Sequence, residues 1–62
     1  MESDICGLLL IRVAEQKSAI EQFLAGGGAK TYEDYCRMVG EYSALQKIEG
    51  EIKDAEQRFL EG

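Results

Sequence analysis

The tripeptide Gly26-Gly27-Gly28 divides the chain into two segments that cannot belong to one helix. Each glycine in a helix interior costs about 1 kcal/mol relative to alanine, because the glycine backbone loses more freedom on ordering. Upstream, Cys6, Leu9, Val13, Ile20 and Phe23 recur in steps of three and four, with Gln16 filling the one polar slot. Downstream, Tyr35, Met38, Tyr42, Leu45, Ile48 and Ile52 keep that spacing through Ala55 to Phe59. The strict alternation of a half-buried strand is missing from both segments. A connection of about five residues between helices favours antiparallel neighbours. The expected fold class is all-α: an antiparallel two-helix hairpin forming one domain, 1–62. Its helices are expected over about 4–25 and 31–60, with a glycine-rich turn at 26–30.

Caps and charge pairs support these bounds. Ser3 or Asp4 is placed to cap the first helix, and Thr31 the second, with Asp34 three residues on as a T-x-x-D form of the capping box. Glu33 and Asp34 put negative charge at the positive end of the second helix dipole. Three pairs at i, i+4 are expected to brace that helix: Glu33 with Arg37, Glu49 with Lys53, and Asp54 with Arg58.

The arms differ in length, roughly 33 Å against 43 Å at the rise of an α-helix. Pairing back from the turn sets Leu24 against Tyr32 or Tyr35, Val13 near Tyr42 and Leu45, and Ile5 near Ile52. Phe59 and Leu60 then overhang the start of the first helix. The seam expected from the stripes is Leu9, Val13, Ile20 and Phe23 against Tyr35, Leu45, Ile48 and Ile52, with Tyr32 covering the turn. Gly50 falls opposite Cys6, where a thiol packs on a hydrogen or the helix kinks, and Gly40 with Ala44 forms a small-x-x-x-small pair suited to close helix approach.

One facing helix cannot cover the apolar run Leu8-Leu9-Leu10-Ile11, which extends around most of its helix. A chain near 60 residues also buries only about 60% of its unfolded surface. Completion by oligomerisation or by docking on a partner is therefore expected. The residues expected at contacts between chains are Leu8, Ile11, Tyr35, Tyr42, Phe59 and Leu60.

Composition narrows the chemistry. Twelve acidic side chains against seven basic give a net charge of −5, which opposes binding to nucleic acid or an anionic membrane surface. There is no His, and two cysteines do not supply a tetrahedral zinc site. In the hairpin Cys6 and Cys36 lie roughly 20 Å apart along the axis, beyond disulfide reach, and read as small packing residues. Glu49, Glu51, Asp54 and Glu56 read as a solvated face rather than an acid–base pair. No Ser, Thr or Cys has a base to activate it, so neither catalysis nor a cofactor is expected. Gly26-Gly27-Gly28-Ala29-Lys30-Thr31 lacks the phosphate-loop spacing, since Leu24 and Ala29 occupy the glycine positions. Lys30 and Thr31, beside free amides at a helix start, remain the candidate anion site. Acids rather than a basic region precede the apolar run, which Arg12 interrupts. Neither a signal peptide nor a membrane span is expected.

The stretch Tyr32-x-x-Tyr35-x-Arg37-x-x-Gly40-Glu41-x-x-Ala44-Leu45, followed by Ile52-Lys53-Asp54 and Arg58, resembles small uncharacterised tailed-phage proteins of helical-hairpin form. Genes of that kind often lie among virion structural genes. The resemblance covers mainly residues 32–58 and implies a phage origin, a non-enzymatic role, and a location in the host cytoplasm or the virion. On it rests the expected function: a virion structural or assembly protein, associated with the head or the head–tail region, acting through helix packing with copies of itself and other phage proteins. The alternative is a host-takeover or anti-defence protein that binds a host protein or sequesters a small anionic ligand.

Overall fold

The computed structural model describes residues 3–61, with side chains from Ile5 to Leu60. The chain is a helical hairpin of α1 (Ser3–Ala25) and α2 (Tyr32–Glu61), extending 46 × 16 × 11 Å. Lys17 meets Glu49 while Glu21 meets Tyr42, so rising numbers on α1 pair with falling numbers on α2: the helices are antiparallel. The side chains of Ser3 and Asp4, candidates for the first cap, lie outside the described residues.

The glycines end α1 by a specific hydrogen-bonded device. The Gly28 N–H donates to the Phe23 carbonyl at 2.7 Å and the Gly27 N–H to the Leu24 carbonyl at 3.1 Å. That pair of bonds is the Schellman motif, which needs a left-handed residue just past the helix. Gly27 supplies it with φ of 78°. Gly28 is required for a different reason, because a Cβ there would sit 2.5 Å from the Phe23 ring. Phe23, expected in the seam, instead covers the turn. Tyr32, expected to cover it, is 80% exposed.

At the start of α2 the Thr31 hydroxyl oxygen accepts the Asp34 N–H at 3.0 Å, as a cap should. The Asp34 carboxylate turns away from the Thr31 backbone and accepts from Arg37 at 3.1 Å. Arg37 thus takes its i, i+3 neighbour rather than Glu33. Asp54 and Arg58 pair as expected, at 3.1 Å, whereas Glu49 reaches across to Lys17 instead of along its own helix to Lys53.

The seam is a strict alternation of four and three. On α1 it runs Cys6, Leu10, Val13, Lys17, Ile20, Leu24; on α2 it runs Met38, Tyr42, Leu45, Glu49, Ile52, Glu56. This is the knobs-into-holes spacing of a coiled coil. Only Val13 (8% exposed) and Ile20 (7%) are buried hydrophobics among the described residues. Leu9, Tyr35 and Ile48, expected in the seam, stand on its flanks and are exposed. The cause is a charged pair inside the seam: Lys17 and Glu49 occupy positions that apolar matching assigns to their neighbours. Glu56, expected on a solvated face with Glu49, is likewise half-buried.

The register also differs from the expected one. Tyr42 pairs with Glu21, two turns beyond Val13. Counted from either cross-helix pair, the free ends of α1 and α2 finish within about one turn of each other. The extra length of α2 therefore projects at the turn, where Tyr32 and Tyr35 stack with ring centroids 6.5 Å apart. Gly50 lies level with the middle of α1, far from Cys6. A Cβ at Gly40 or Gly50 would meet nothing within 4 Å, so neither glycine marks a close helix approach within the hairpin.

Candidate interaction surface

The polar centre of the hairpin is a four-residue cluster. Lys17 donates to Glu49 at 3.1 Å, and its ammonium lies 5.3 Å from the centroid of the Tyr42 ring. The Tyr42 hydroxyl donates to the Glu21 carboxylate. The bond to Glu49 holds the Lys17 ammonium above its usual 10.5. The bond to Glu21, assisted by desolvation, holds the Tyr42 phenol above its usual 10.0. Both shifts favour the protonated forms, so neither group is poised as a base near neutral pH. Every polar group in this cluster has a partner, and its geometry serves helix pairing.

The remaining surface is unusual for its apolar content. Eleven large hydrophobic side chains among the described residues are exposed, against two buried. Leu8, Ile11, Tyr35, Phe59 and Leu60 are all in the exposed set, with Phe59 at 71% and Leu60 at 72%. Tyr42 is not: it is half-buried and engaged inside the hairpin. Cys6 is half-buried, while Cys36, expected as a packing residue, is exposed.

These exposed groups lie on both faces of the layer. The residue preceding each seam position defines one face, because a step of one turns the side chain by about 100°. On α1 that line is Ile5, Leu9, Arg12, Gln16, Ala19, Phe23; on α2 it is Arg37, Glu41, Ala44, Ile48, Glu51, Ala55. The opposite face carries Ile11, Val39 and, beside Lys53 and Gln57, Leu60 as large hydrophobics, among Ser18, Glu21, Ser43 and Gln46. On the first face an open groove of about 400 Å³ lies between the helices, lined by Gln16, Ala19, Ile20, Glu41, Ala44 and Leu45. Leu9, Phe23 and Ile48 were assignable to this face only once Lys17 and Glu49 were admitted to the seam. Apolarity alone points the other way.

The candidate anion site offers little. The Thr31 hydroxyl is engaged in its cap, and Glu33 and Asp34 set two carboxylates in the first turn beside exposed Lys30. Among the described residues no group of three or more His, Cys, Asp or Glu is arranged to hold a metal ion, and no helix is long and apolar enough to cross a membrane. No protein family, curated protein or solved structure matches the chain.

Proposed function

We propose that this chain is a small non-enzymatic protein that acts through helix–helix packing, self-associating as a structural or assembly component of a phage virion, in the head or head–tail region. The observation that carries the packing role is the inversion of its apolar surface: eleven exposed large hydrophobics against two buried ones. Monomeric soluble proteins rarely leave such surface contiguous unless it is covered by a partner. The phage setting rests on the resemblance of residues 32–58.

Self-association is tested by thermal unfolding at several protein concentrations. Binding confined to the folded state raises the apparent Tm by mass action, so Tm is expected to climb as concentration rises. A Tm independent of concentration would oppose the reading. The virion role is tested by peptide mass spectrometry of purified phage particles. Stoichiometric recovery of the chain is expected, and its absence from particles that assemble normally would overturn the virion assignment.

A further inference from the structure

We draw no further inference here: the strongest candidate, the patch of exposed hydrophobic side chains Ile5, Leu8, Ile11, Phe59 and Leu60 at the free end of the hairpin, spreads over both faces and the outer edge of the layer, and nothing in the structure shows what covers it.

Discussion

Lys17 and Glu49 form their ion pair, at 3.1 Å, at facing positions of the helix seam rather than along the surface of either helix. Their side chains are three-quarters buried or more, with 17% and 25% of their surface exposed. A charged pair at seam positions costs some stability against apolar residues, but it specifies which register two helices adopt. Here it sits between Val13 and Ile20 on α1 and between Leu45 and Ile52 on α2. A slip of one turn would bury each charge against an apolar side chain.

Removing one partner of this pair is therefore expected to be worse than removing both. Lys17→Ala should lower the Tm clearly, since the three-quarters-buried Glu49 side chain is then left without its cation. Replacing both by methionine should restore the Tm to the wild-type value or above it, at the expense of a unique register. Arg58→Ala, which breaks the exposed Asp54–Arg58 pair, should change the Tm little. Thermal melts followed by circular dichroism check all three; equal losses for Lys17→Ala and Arg58→Ala would refute the register role.

The same cluster predicts a stability that falls in alkali. Lys17 and Tyr42 both have raised pKa values, by the bonds to Glu49 and Glu21 respectively. The folded chain then binds these protons more tightly than the unfolded chain, so the stabilisation is full below the ordinary values of 10.0 and 10.5 and is lost as pH rises through the folded ones. Tm should hold steady from neutral pH to about 9 and drop beyond it. Tyr42→Phe should start from a lower Tm and show a shallower alkaline decline. A mutant decline as steep as that of the wild type would exclude Tyr42 from the effect.

Much of this fold was legible in the order of residues, and the losses have one source. The triple glycine, the Thr31 cap and the three–four spacing were enough to read two antiparallel helices. Apolar matching then chose Leu9, Phe23 and Ile48 for the seam, because it treats Lys and Glu as surface residues. Long aliphatic stems allow those side chains to lie in a seam while their charged tips pair. Once the seam turns by one residue, the other three become the exposed face. The overhang moved for a related reason: counting back symmetrically from a turn ignores how far residues 26–31 travel along the axis.

The glycines separate into two kinds with opposite expected effects. Gly27→Ala forces a left-handed conformation on an L side chain and should cost about 1 kcal/mol. Gly40→Ala and Gly50→Ala add a Cβ in open space within a helix and should each add about 1 kcal/mol. For a domain of this size that corresponds to Tm changes of about 4–8 °C in either direction. Destabilisation by Gly50→Ala would show that this position packs against something in the assembled state.

Phe59 is expected to affect assembly without affecting the fold. It is 71% exposed in the hairpin, so its loss removes little intramolecular packing. Phe59→Ala should keep the helical signal while weakening self-association about tenfold, the scale of one moderate interface anchor. Sedimentation velocity distinguishes the cases: an unchanged oligomer would remove Phe59 from the contact.

The most direct measurement is the solution mass of the wild-type chain by sedimentation equilibrium across a wide concentration range. A discrete multiple of 6.9 kDa, dissociating only on dilution, is the expected result and fits a hairpin that covers its exposed hydrophobic side chains by self-association. A helical, cooperatively folded species of 6.9 kDa at every concentration would contradict it, because the half-covered seam of a single hairpin would then suffice to hold the fold.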